Sequence, residues 1–173
     1  LEVQDQALGQ LASAALSARG AVAEALATGS ADGLMTALEG YLGQAVDSLN
    51  TEYQGRHLFA GGQSDTEPLG QLNLANLTAA PTILGLFGND QLQITSRLDD
   101  KLTVSTNFLA SDLGVPLMQS LKAVEALHQG PLGPLTGTLT PAQTTALEGM
   151  IAAANFRPES PLDPYIGAGV GYI

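Results

Sequence analysis

Two apolar stripes separated by a two-residue break constrain this chain more than anything else in it. In residues 1–28, Leu8, Leu11, Ala15, Ala18, Val22 and Ala25 recur at steps of three and four. In residues 31–54, Leu34, Leu38, Leu42, Ala45, Val46, Leu49 and Tyr53 do the same. This is the period of one helix face. Gly9 and Gly20 weaken the first helix locally, Thr28-Gly29 supplies its stop, and Ser30 is positioned to cap the second. So short a connection predicts antiparallel neighbours. The stripes read as core packing, with part of them open to docking on another subunit.

The period then fades. Residues 57–107 read as a β region: Leu58-Phe59-Ala60 as a short strand, Ser64 to Pro68 as a polar turn, and Gly88-Asn89-Asp90 as a second turn. Gln91 to Thr95 and Lys101 to Ser105 alternate as two strands of a hairpin joined by Ser96 to Asp100. A third helix is expected over 111–128, capped by Ser111 or Asp112, with Leu117, Leu121, Val124 and Leu127 on one side. After the Pro/Gly-rich loop 130–137, Thr140-Pro141-Ala142-Gln143 signals a fourth helix over 140–155: Thr cap, Pro at the first position, Gln at the third. Its apolar face is Leu147, Met150, Ile151 and Ala154. The fold class is therefore mainly α with a small β region: an elongated helical bundle carrying β-hairpins, in one domain over 1–155. Residues 156–173, with three prolines and three glycines, form a tail expected not to be native to that domain. The start at Leu1, inside a helical pattern, reads as a trimmed or processed piece.

Composition narrows the function. Hydrophobic residues make up 45% of the chain, enough for a core, and aromatics only 5%. Seventeen acidic residues against six basic ones give a net charge of −11, which disfavours nucleic acid and anionic lipid as partners. The absence of cysteine excludes disulfides and thiol chemistry. Neither a membrane-length apolar run nor a signal peptide is visible.

Reactive constellations are not apparent. His57 and His128 lack metal-ligand spacing, and read as a turn or packing histidine and a helix C-terminal residue respectively. Asp99-Asp100 reads as a solvated hairpin tip, since adjacent strand residues point apart. The glycines of 167–171 lack the lysine and following helix of a phosphate loop. These observations predict no catalytic residues, cofactor or metal, and a structural or interaction protein in place of an enzyme.

Residues 49–68 read "LNTEYQGRHLFAGGQSDTEP". The stretch resembles the hallmark of bacterial flagellins and flagellar hook-associated proteins. In that family a long helix ends in Asn and Tyr, then Gly-Arg, then a Leu-Phe-(Ser/Ala)-Gly turn. The matching positions are Asn50, Tyr53, Gly55, Arg56, Leu58, Phe59, Ala60 and Gly61. The continuation Asp65 to Pro68 and the modest middle region are most similar to the hook–filament junction members of the family, hook-associated protein 3. The resemblance covers roughly residues 1–155. The family's terminal segments form an inner layer of the tube; the N-terminal one is expected to be absent or clipped here, and the Pro/Gly tail stands where the final helix should run on from Asn155.

The resemblance implies a structural flagellar subunit that connects hook and filament. Its partners would be flagellin and the hook-side junction protein, with self-assembly in a ring and an export chaperone possible. It also implies export to the cell exterior by the flagellar type III apparatus without a cleaved signal. A filament flagellin is the alternative within the family. A surface adhesion module using the Thr/Asn/Gln-rich strands is the alternative outside it. On the residues themselves, the motif is expected to be a corner. Tyr53 would close the stripe of the second helix, Gly55 end that helix, Leu58 and Phe59 anchor the exit, and Gly61-Gly62 turn the chain. Arg56 would pair locally or with a neighbouring subunit, and His57 would be the least special member.

Overall fold

The computed structural model describes residues 2–92, 95–99, 102–105 and 108–152. The protein is mainly helical, with two small antiparallel sheets. Helix α1 spans Glu2–Thr28 and α2 spans Leu34–Leu49. They pack along each other through the two stripes: Leu8, Leu11, Ala18, Val22 and Ala25 are buried, as are Leu34, Leu38, Leu42, Ala45, Val46 and Leu49. At about 1.5 Å per residue, α1 sets a long axis of about 40 Å.

α2 is shorter at both ends than the periodicity implied. Its N-cap is Gly33, in the left-handed region at φ 75°, and not Ser30. The Ser30 hydroxyl instead accepts the Asp32 N–H at 3.2 Å, holding a turn ahead of the helix. That turn is tied to the far end of the sequence. The Ala31 N–H donates to Gly137 O (2.7 Å), Leu139 N–H to Gly29 O (2.8 Å), and Gly137 N–H to Asp32 Oδ1 (2.9 Å).

After α2 come two two-residue strands, β1 (Glu52–Tyr53) and β2 (Arg56–His57). A short helix α3 follows at Leu74–Ala79, inside what the sequence presents as a β region. The Asn73 side chain accepts the Asn76 N–H at 2.7 Å, and Leu74 and Leu77 are buried. One and a half turns are too short to leave a period, so only the Asn cap and the Leu-x-x-Leu spacing mark this helix. A single 3₁₀ turn covers Leu84–Leu86.

The hairpin of β3 (Thr95–Asp99) and β4 (Leu102–Ser105) runs from Thr95↔Ser105 to Asp99↔Leu102. The first strand thus starts at Thr95, four residues later than expected, and two residues in place of five separate it from the second, as tight hairpins favour.

Helix α4 (Ala110–Gln129) contains Pro116 in its second turn and packs on α2 and α3. At Gly114 an added Cβ would lie 2.7 Å from Leu49 Cδ1 and 3.0 Å from Phe87 Cζ. The glycine is what brings α4 onto the end of α2.

Helix α5 (Pro141–Ala152) packs on α1 and α4. Its start is a reciprocal capping box: the Thr140 N–H donates to Gln143 Oε1 (3.0 Å) and the Gln143 N–H to Thr140 Oγ1 (3.2 Å). The buried Gln143 amide also donates to the carbonyls of Leu132 (2.7 Å) and Pro134 (3.1 Å), which locks the Pro/Gly loop onto α5. The end of the expected 140–155 helix, the glycines of 167–171 and the 156–173 tail lie outside the described residues.

Candidate functional site

Residues 49–69 build a corner at the end of α2, and the hallmark residues divide into those that hold it and those that face out. Asn50 is its centre. Its Nδ2 donates to Leu69 O (2.6 Å) and its Oδ1 accepts the Leu69 N–H (2.9 Å), so the amide pairs with Leu69 as a neighbouring strand would. Nδ2 also reaches Glu67 Oε1 at 3.0 Å. The Asp65–Pro68 segment is therefore part of the corner. Pro68 O accepts the Gly88 N–H (2.8 Å), which draws the 87–92 loop in as well.

Tyr53 does not continue the stripe of α2. The helix stops at Leu49, and Tyr53 stands 51% exposed on β1. Thr51 shows why: its hydroxyl donates back to Ser48 O (2.7 Å) and its carbonyl accepts the Leu58 N–H (3.0 Å), diverting the backbone into a hairpin. β1 and β2 pair as Glu52↔His57 and Tyr53↔Arg56. Gly55 therefore does not end the helix. It closes the two-residue hairpin turn with Gln54, at φ 76° and 52°, both left-handed as a type I′ turn requires.

His57 carries more than the sequence suggested. Its Nδ1 donates to the Asn50 carbonyl at 3.0 Å, and its Nε2 lies 3.1 Å from Glu52 Oε1. The imidazole thus braces the end of α2 against both strands. Arg56 is exposed and forms no ion pair among the described residues, so the local partner expected for it is not there.

Leu58-Phe59-Ala60 is a turn and not a strand. Phe59 is 1% exposed in the main core and Leu58 packs against that core's edge. The Phe59 carbonyl accepts the Ala110 N–H at 2.9 Å, and Asn89 Oδ1 accepts the Ser111 N–H at 3.2 Å. Helix α4 is thereby capped from outside by two remote segments, and not by Ser111 or Asp112. Leu109, its N-cap residue, offers no side-chain acceptor.

Gly61 and Gly62 complete the turn. Gly61 has φ 66°, and the Asp90 carboxylate occupies the space where a Cβ would stand. Asp90 Oδ1 accepts the N–H groups of Gly62 (2.8 Å) and Leu92 (3.0 Å).

The two histidines do not meet. His128, near the end of α4, accepts the Leu135 N–H at Nδ1 (3.0 Å), while His57 sits in the corner. Among the described residues no group of three His, Cys, Asp or Glu could hold a metal ion, and no helix is long and apolar enough to cross a membrane. The corner has no reactive pair to offer. Its chemistry is that of a brace: Asn50 and His57 tie the 67–69 segment and β2 to the end of α2, and the Asp90 carboxylate ties the 90–92 loop to Gly62.

No family model and no curated protein sequence matches this chain. A solved structure from Vibrio parahaemolyticus, provisionally described as a flagellar hook-associated protein, is similar to it. The likeness covers 98% of this chain and 70% of that one, with a TM-score of 0.60 at 17% identity. At that identity the likeness is one of fold.

Proposed function

We propose that this chain is a structural subunit of the bacterial flagellum, and within it a junction protein between hook and filament. The observation that carries the reading is the corner. A stretch resembling the flagellin and hook-associated hallmark is the point where α2, the 67–69 segment and the start of α4 are bonded together. A fold shared with a protein described in flagellar terms supports it.

In this reading the subunit is exported without a cleaved signal and assembles outside the cell in a ring. It contacts the hook-side junction protein on one side and flagellin on the other. Rigidity is the property such a role demands, and the corner supplies it by bonding the end of α2, the 67–69 segment and the start of α4 through one short stretch. The Asp65–Pro68 continuation favours a junction member over a filament flagellin.

Immunogold labelling of whole cells of the source bacterium, with their flagella attached, tests this directly. Gold confined to the boundary between hook and filament is the expected result. Gold along the filament would make the chain a flagellin. Gold on the cell surface away from flagella would support the adhesion module and overturn the flagellar reading.

A further inference from the structure

The β1–β2 hairpin is a small knob that presents Arg56 on one face and Glu52, beside His57, on the other. Tyr53 and Arg56 are Cα partners in its ladder and so stand on one face of the two-stranded ribbon. Both are exposed, and Arg56 has no ion-pair partner among the described residues. Tyr and Arg are the side-chain types most often found at the energetic centre of protein interfaces.

A complementary surface lies at the opposite end of the same two helices. There the last two turns of α1 and the start of α2 enclose a cleft of about 250 Å³. Glu24 and Asp32 supply carboxylates on its rim, while Ala21, Ala25, Leu34 and Ala37 line it. Glu24 forms no ion pair among the described residues, and Asp32 accepts the Gly137 N–H at Oδ1.

The knob lies beside Glu2–Gln4, against the start of α1. Roughly 40 Å of helix separates it from the cleft. They cannot meet within one chain, so the match is between copies, head to tail.

We propose that the β1–β2 hairpin of one copy docks in the α1–α2 cleft of the next. Arg56 then pairs with Glu24 and Asp32, and the Tyr53 ring packs on the alanines. Two copies that each carry −11 repel in general. A single cation meeting two carboxylates selects one register out of many, which is what charge complementarity contributes to an interface. A cleft this size admits one or two side chains, so the contact is transient in isolation and sets alignment between subunits held by other surfaces. Knob and cleft on opposite ends make the contact heterologous, the kind that closes into rings or continues as filaments. The inference rests on charge and placement and stands whether or not the flagellar reading does.

The chain has no cysteine, so engineered thiols are unique reporters. The test mixes Gln54→Cys protein with Ala37→Cys protein at millimolar concentration and follows disulfide dimer formation under mild oxidation. The control pair is Gln54→Cys with Ser13→Cys, an exposed site in the middle of α1. Dimer is expected to form faster with Ala37→Cys than with the control. Arg56→Glu in the Gln54→Cys protein should slow it by about fivefold, the range of an exposed charge pair. Glu24→Arg in the Ala37→Cys protein should then restore it. Equal rates for the two pairs, or no response to Arg56→Glu, would overturn the proposal. Unchanged melting curves for Arg56→Glu and Glu24→Arg separate a lost contact from a lost fold.

Discussion

Asn50 and Leu69 are joined as two strands would be, except that one partner is a side chain: a single amide both donates to and accepts from the Leu69 backbone. Leu69 is 1% exposed. Removing the amide would strand a carbonyl and an N–H where water does not reach. Asn50→Ala is expected to cost about 2–4 kcal/mol, one buried polar group at a time. Asn50→Asp should cost no less, because it aims an oxygen at the Leu69 carbonyl and at Glu67. Urea denaturation of both variants checks this, and an unchanged midpoint for Asn50→Ala would mean that water replaces the amide.

Phe59 and Tyr53 belong to the same hallmark but to opposite sides of the protein surface. Phe59→Ala should destabilise by about 3–5 kcal/mol, as for other buried aromatics. Tyr53→Ala should stay within about 0.5 kcal/mol of the parent, since its ring is exposed. Thermal unfolding of the pair separates the part of the motif that holds the fold from the part free to meet a partner. Equal losses at both positions would show the hairpin to be integral to the core.

Gly55 and Gly61 both have positive φ, yet their surroundings differ. Nothing lies within 4 Å of a Cβ at Gly55, whereas Asp90 occupies that space at Gly61. Gly55→Ala should cost about 1–2 kcal/mol, the backbone term alone. Gly61→Ala should cost distinctly more, because it must also displace the carboxylate that holds Gly62 and Leu92. In chemical denaturation, Asp90→Ala should remove most of that extra cost in the double variant, the remainder coming from the Asp90 carbonyl at 3.1 Å and Leu109 Cδ2 at 3.2 Å from such a Cβ.

Gln143 is a capping residue that also holds a loop. Gln143→Glu keeps an acceptor for the Thr140 N–H but loses the donor to Leu132 O and Pro134 O. It should destabilise by about 1–3 kcal/mol, the cost of leaving such acceptors unpaired. Hydrogen exchange should rise in residues 130–139 before it rises in α1 or α2. Uniform loss of protection across the chain would mean the loop and the bundle open together.

The helical frame was legible because its signals are repeated. Six or seven apolar positions at one period outweigh Gly9 and Gly20, and Thr140 and Gln143 announce their helix with two reciprocal bonds. The corner was legible only as a corner. The end of α2 was misplaced because Tyr53 falls on the right period for a helix that has already stopped, and periodicity cannot see the Thr51 bonds that stop it. The cap of α4 was misassigned for a related reason. Ser111 and Asp112 are good local caps, but the acceptors actually used, Phe59 O and Asn89 Oδ1, come from residues far away in sequence. His57 was undervalued because nothing in its spacing shows that the Asn50 carbonyl and Glu52 stand on either side of its ring.

Asn89 and Ser111 have one more property. Their side chains are bonded to each other at 3.1 Å, and the Ser111 N–H reaches Asn89 Oδ1. They form a neck: the chain between them, which carries the β3–β4 hairpin, starts and ends at two residues bonded to each other. Once a neck is closed, the entropy of what hangs from it grows slowly, by about 0.6 kcal/mol for each doubling in length. By that measure, lengthening the insertion between the two residues costs the fold little.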